Sequence, residues 1–257
     1  MSIAPNTSRL LQRLTSLAPL SAEEIRALEG AAGPARLHRP HEDLARESET
    51  ATHIDLLVSG FACRCRMLPD GRRQIISYLI PGDLCDVRHL LQPVATHTIS
   101  TLTAANVAPF GREQLLGLIE RHPRIGYALC SLALVEELIV REWLVSVGQR
   151  TAIERLAHLL CEIFTRMQSV GLTDRGRCEL PLTQMELADS LALSTVHVNR
   201  TLQELRRQGL VSLAGGMLEI HDIEALRTIA MFNPAYLQSG NPQPHSPMLL
   251  STRRGSH

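Results

Sequence analysis

The 257-residue chain contains no lysine; all 26 of its basic side chains are arginine. That absence excludes a lysine Schiff base, a cofactor held through a lysine aldimine, and a phosphate loop of the G-x-x-x-x-G-K-[ST] type. An excess of either charge is lacking too. The 26 acidic residues bring the formal net charge to zero, which rules out a uniformly basic coat for nucleic acid but not a local basic patch. Aromatic residues make up only 3% of the chain, so Leu, Val, Ile and Ala must build the core. No apolar run reaches the roughly 18 residues that a membrane span requires. Residues 1–20 lack a signal-peptide core, because Gln12, Arg13, Thr15 and Ser16 interrupt it. A cytoplasmic protein with no membrane partner is expected. The six cysteines (Cys63, Cys65, Cys85, Cys130, Cys161 and Cys178) include no C-x-x-C pair. The common zinc and redox spacings are therefore missing, and reduced thiols are expected.

What is present divides into stretches of different periodicity. Residues 1–35 read as helical, with Leu10, Leu11 and Leu14 at helical spacing and a capping box from Ser21 to Glu24. Residues 36–112 read as short strands at Ile54–Leu57, Ala62–Met67, Gln74–Ile80 and Thr98–Pro109. Pro69-Asp70-Gly71 and Pro81-Gly82-Asp83 supply turns, the first through positive φ angles at Asp-Gly. This pattern suggests a small β-roll or barrel. Leu129, Leu132, Val135, Ile139 and Trp143 then form an apolar seam along a long helix, Ile125–Val147, expected to break near Gly148. A seam of this kind packs either on its own domain or on a second copy. Residues 236–257 lack periodicity and read as a disordered tail.

Residues 181–222 carry the chemistry. Thr183 and Glu186 form a second capping box, flanked by Leu182 and Leu187 as a hydrophobic staple. A second helix begins after Ser194, buries Val198, Leu202 and Leu205, and stops near Gly209. Two short helices joined by a tight turn form a helix-turn-helix. Its second helix enters the major groove, so its exposed first turns must be small or polar. Thr195, Val196, Asn199 and Arg200 share that face. Arg200 can pair with guanine O6 and N7, Asn199 with adenine N6 and N7, and Val196 or Thr195 can touch a thymine methyl. Thr183, Ser194 and His197 are placed for phosphates. Arg200, Arg206 and Arg207 oppose only Glu204, so the stretch is locally basic, and the strands around Gly215-Gly216 read as a wing. With few positive charges in this head, a shallow salt dependence is expected.

These segments resemble the cyclic AMP receptor protein / fumarate-nitrate reduction regulator (Crp/Fnr) family of bacterial transcription regulators, over roughly residues 10–225. Leu57-Val-Ser-Gly-Phe-Ala-Cys63, the hairpin Leu68–Ile75, Leu79–Leu84 and Ser194–Leu202 carry the resemblance. It implies an α+β chain with four parts. Residues 1–122 would hold an N-terminal helix and a cyclic-nucleotide-binding-like β-roll, and 123–147 a dimerisation helix. Residues 148–235 would hold a winged helix-turn-helix, followed by the tail at 236–257. It also implies a homodimer through Leu132, Val135, Ile139 and Trp143, a pseudo-palindromic site on double-stranded DNA, and RNA polymerase as a partner.

Departures from the family pattern bear on the effector. The Arg-Ser pair that grips a cyclic phosphate falls near Ala95-Thr96, and no arginine lies between Arg88 and Arg112. Gly82 is followed by Asp83 rather than glutamate, and the base-contacting positions of the dimer helix become Val140 and Arg141. An anionic phosphate buried without its arginine is costly. The expected effector-pocket candidates are Gly82, Asp83, Thr96 and Arg141, with weak or no cyclic AMP binding. The family's N-terminal cysteine cluster is missing, so neither an iron–sulfur cluster nor another cofactor is expected. His89 and His97 make no metal motif. No H-x-H pair or G-x-S-x-G elbow appears, so an enzyme is not expected. The alternative reading is a cyclic-nucleotide-binding module acting through protein partners.

Overall fold

The computed structural model describes residues 7–237. Two short helices, α1 (Ser8–Leu17) and α2 (Ala22–Ala31), precede the sheets. The capping box at α2 forms as the sequence predicts: the Glu24 amide donates to Ser21 Oγ at 3.2 Å and the Ser21 amide to Glu24 Oε2 at 2.7 Å.

The β-roll consists of two sheets. The strands are β1 (Arg36–His38), β2 (Asp43–Ala45), β3 (His53–Ser59), β4 (Ala62–Met67), β5 (Arg73–Leu79), β6 (Thr98–Thr101) and β7 (Ala105–Gly111). One sheet runs β1-β7-β3 and the other β2-β6-β4-β5. The stretch Thr98–Pro109, expected as one strand, is two strands in different sheets. The chain changes sheet at Leu102–Ala104, where the Leu102 amide donates to Phe61 O at 2.7 Å and the Phe61 amide to Thr103 Oγ1 at 2.9 Å. Gly60 makes this crossing possible: its φ is +86°, and a Cβ there would lie 2.5 Å from Ala104 O. In the β4–β5 turn only Gly71 takes a positive φ. Asp70 contributes differently from expectation, accepting the Arg72 amide at 3.1 Å.

Beyond the roll lie α3 (Arg112–Arg121), α4 (Pro123–Gln149) and α5 (Ala152–Ser169). Helix α4 continues through Gly148 and ends at Arg150, which is extended. The break falls there because Thr151 starts a new capping box, its amide donating to Glu154 Oε2 at 2.7 Å. The C-terminal head adds α6 (Gln184–Leu191), α7 (Thr195–Arg207) and α8 (Ile223–Ala230) around a small sheet ordered β8-β10-β9, formed by β8 (Arg177–Glu179), β9 (Val211–Ala214) and β10 (Met217–Ile220). Tyr236 and Leu237, assigned from sequence to the tail, lie in a 3-10 turn, Pro234–Leu237. The remainder of that assignment lies outside the described residues.

One apolar core runs from α1 through the roll and α4 into the head. Head and roll also meet through polar contacts. Tyr78 Oη donates to Glu186 O at 2.9 Å, and Arg73 Nε donates to Asp189 Oδ2 at 2.8 Å. Among the described residues no helix is long and apolar enough to cross a membrane.

Candidate DNA interface

Each end of the helix-turn-helix is set by a local signal. Thr183 caps α6, with its hydroxyl accepting the Glu186 amide at 3.2 Å and donating to Glu186 Oε2 at 2.9 Å. Leu182 and Leu187 are both buried, as a staple requires. Ala192 ends α6 in the left-handed conformation, φ 53°, ψ 45°. Two residues later Ser194 caps α7, accepting the His197 amide at 3.2 Å. Gly209, at φ +71°, stops α7.

The fixed turn holds α7 with Val198, Thr201, Leu202 and Leu205 inward. Thr183, Ser194, Thr195, Val196, His197, Asn199 and Arg200 are all exposed. The six of them on the second helix and its cap share one surface, and Thr183 stands at the start of the neighbouring helix. The local basic count shrinks in three dimensions. Arg206 donates to Leu213 O and so ties the helix to the wing. Arg207 is spent on Glu204, at 2.7 and 2.9 Å, and these bonds hold the Glu204 carboxyl down at about 2. Arg200 and Asn199 make no side-chain hydrogen bond among the described residues, so both remain available to a base edge. The wing forms around Gly215 and Gly216, whose φ angles of +59° and +75° suit a two-residue hairpin turn. Sequence reasoning missed β8, which at three residues carries no periodicity, and exposed Met185 in the first turn of α6.

The predicted dimer residues require correction. Leu132, Val135, Ile139 and Trp143 are buried within their own chain. Trp143 donates Nε1–H to Glu162 Oε2 at 2.9 Å and meets Tyr78 edge-on at a centroid separation of 5.7 Å. Among the described residues the opposite face of α4 is exposed. Tyr127, Cys130, Leu134, Glu137, Arg141 and Leu144 repeat there at alternating three- and four-residue steps, with Tyr127 66%, Leu134 58% and Leu144 73% exposed.

Each of the four effector-pocket candidates is held by contacts of its own. Gly82 (φ +99°) is fixed by packing, since a Cβ there would approach Arg9 Cβ to 2.8 Å. Asp83 is buried in an internal ion pair, accepting from Arg166 Nη2 at 2.7 Å and meeting Arg13 of α1. Arg141 lies on the outer face of α4, paired with Glu137. Thr96 is near a guanidinium after all, Arg88 Nη2 at 3.4 Å, but Asp86 holds that charge at 2.9 Å. His89 and His97 also surround Asp86, at 3.7 and 3.4 Å. Burial pushes His97 down to about 4 and lowers His89 as well. Among the described residues no group of three His, Cys, Asp or Glu is arranged to hold a metal ion.

Between roll and α4 stands a residue that sequence reasoning did not single out. Arg64 is buried because the chain at Leu84–Cys85 and Glu136 of α4 cover its face of β4; the bulge of this hairpin lies across from it, at Ile76 of β5. Its guanidinium bonds Glu136 Oε2 on α4 at 2.9 Å, Cys85 O at 2.7 Å and Leu84 O at 3.2 Å. Alternation along β4 puts Arg64 on the face opposite Cys63 and Cys65, and both faces are covered, so all three side chains are buried.

The chain matches a cyclic nucleotide-binding domain model over residues 35–122 and a Crp-like helix-turn-helix domain model over residues 154–229. It is 32% identical to the transcriptional activator protein FnrL of Cereibacter sphaeroides, over 62% of this chain and 64% of that protein. It is 30% identical to the nitrogen fixation regulation protein FixK of Bradyrhizobium diazoefficiens, over 72% of this chain and 78% of that one. Its fold is similar to the solved structure of FixK2 from Bradyrhizobium japonicum, with a TM-score of 0.69 at 24% identity, covering 77% of this chain and 96% of that one.

Proposed function

The chain belongs to the Crp/Fnr family of DNA-binding transcription regulators, and from that premise we propose that it binds a pseudo-palindromic site as a homodimer. The free side chains of Asn199 and Arg200 on the exposed face of α7 carry this reading. Recognition of an extended site needs two such faces about one helical turn of DNA apart. The three-four repeat from Tyr127 to Leu144 supplies the means, because this spacing keeps one stripe of a helix against a partner helix. Glu137 and Arg141 in that stripe favour a fixed register, since each can pair across the seam. RNA polymerase is the partner expected of a protein whose relatives are named transcriptional activators.

Control by cyclic AMP is not part of the reading. Arg64 and Glu136 occupy the junction of roll and α4, and Arg88 is already neutralised by Asp86. A cyclic phosphate would have to break one of these pairs to gain a counter-charge.

Random-site selection with the full chain, combined with light scattering, tests the proposal. The expected result is a two-fold symmetric consensus bound by two chains per duplex. Selection of a single half-site by one chain, or of no sequence at all, would refute it.

A further inference from the structure

A cleft of about 360 Å³ lies where α1, α4 and α5 meet, within the range of small-molecule sites, about 300–1,000 Å³. Its walls differ in kind. Leu17, Leu132, Val135 and Ile139 form an apolar side, and Arg13 and Arg166 line the other. We propose that this cleft binds a small amphiphilic anion, its acidic head against Arg13 and Arg166 and its hydrocarbon body along the leucine, valine and isoleucine side chains.

The charge arrangement carries the argument. Two guanidiniums share one carboxylate, Asp83, which Arg166 reaches at 2.7 Å and Arg13 meets from α1. The other carboxylate near Arg166 is Glu162, at 3.4 Å. That group is committed elsewhere, accepting from Trp143 Nε1 at 2.9 Å and Tyr236 Oη at 3.1 Å. Full burial raises it towards its neutral form. The cluster is thus short of negative charge. Arg13 is pulled down to about 10 by burial and by the charge of Arg166, against the opposing charge of Glu136, a carboxylate already paired with Arg64 at 2.9 Å. Arg166 is nine-tenths buried, and among the described residues its Nε–H has no hydrogen-bond partner. Buried donors of this kind are normally satisfied, and the guanidinium that carries it lines the cleft, where its charge acts on an acidic head.

The cleft joins the N-terminal helix, the long helix and the first helix of the DNA-binding head. An occupant would therefore bear on how head and roll pack. That consequence rests on the DNA-binding reading above; occupancy itself does not, and its test contains no DNA.

The experiment is titration calorimetry on the full chain with four probes: decanoate, decyl phosphate, 1-decanol and inorganic phosphate. Decanoate or decyl phosphate should saturate at one per chain, and the stronger of the two identifies the head group. Decanol and inorganic phosphate, which each lack half of the chemistry, should bind at least tenfold more weakly. Ser16→Trp fills the mouth while leaving both guanidiniums in place and should weaken binding at least tenfold. Arg13→Gln should do the same, with melting temperature reporting whether each variant folds. Absence of saturable binding by both amphiphiles, equal binding of decanol, or full affinity in a folded Ser16→Trp variant would overturn the proposal.

Discussion

Replacing Arg64 by methionine tests the account of the roll–helix junction. The Arg64–Glu136 pair is 2.9 Å long, with side chains 9% and 18% exposed. Removing the guanidinium leaves a carboxylate without its partner and the carbonyls of Leu84 and Cys85 without a donor. Breaking a buried pair from one side costs about 3–5 kcal/mol. Glu136 keeps some contact with water, so the lower end, about 3 kcal/mol, is expected for Arg64→Met. Glu136→Leu leaves Arg64 with its two carbonyl acceptors and should cost less, about 1–2 kcal/mol. The double variant removes both charges and fills the junction with apolar atoms, an exchange that is often neutral. Its loss should therefore fall well below the sum of the single losses, with a coupling energy above about 1 kcal/mol. Urea denaturation followed by far-ultraviolet circular dichroism measures all four proteins, provided the slope with urea stays constant. A loss below about 1 kcal/mol for Arg64→Met, or strict additivity in the double variant, would show that the pair does not hold roll and helix together.

Three further outcomes are expected. Arg200→Ala should lose about 1–3 kcal/mol of specific DNA affinity and relax selection at one base position, whereas Arg207→Ala, whose charge is already spent on Glu204, should change specificity little; a gel shift with the selected site distinguishes them. Leu144→Arg should convert a dimer to a monomer by light scattering, and mild oxidation should cross-link the wild type through Cys130, the exposed cysteine on that seam; a dimer that survives Leu144→Arg and never cross-links would place the interface elsewhere. His158 is held down at about 3 by burial and by Arg150, against an ordinary value of 6.5. A histidine with a depressed folded-state value contributes stability that is complete above the ordinary value and is lost as pH falls below it. Between pH 6.5 and 5 this group alone should remove about 2 kcal/mol, and His158→Phe should flatten that part of the urea-stability profile.

Much of the candidate interface is legible in the sequence because local rules set it. The capping boxes at Ser21 and Thr183 need only a hydroxyl and a carboxylate three residues apart; the box at Thr151 obeys the same rule, though the sequence pattern puts the helix break near Gly148 instead. The wing turn needs only Gly215-Gly216, and the end of α7 needs Gly209. Strands β1, β2 and β8 are each three residues long. That is too short for alternation to register, so they exist because neighbouring strands offer hydrogen-bond partners. The division of Thr98–Pro109 was equally hidden, since both halves are strand-forming and only the docking of Phe61 against Leu102 and Thr103 separates them.

The sequence by itself determined the recognition helix, its caps, its exposed polar face and the order of roll, long helix and head. Each of these follows from residues within a few positions of one another. Tertiary structure decided which stripe of α4 faces inward. That helix carries two apolar stripes at three- and four-residue steps, and periodicity cannot rank them. The stripe of Leu132, Val135, Ile139 and Trp143 is buried because α1, α5 and the roll converge on that side, leaving Tyr127, Leu134 and Leu144 exposed. The same convergence brought Asp83 to Arg13 and Arg166, and Arg64 to Glu136. Pairings between residues 72 and 83 positions apart leave no local signal, because charge partners are chosen by the packing of the elements that carry them.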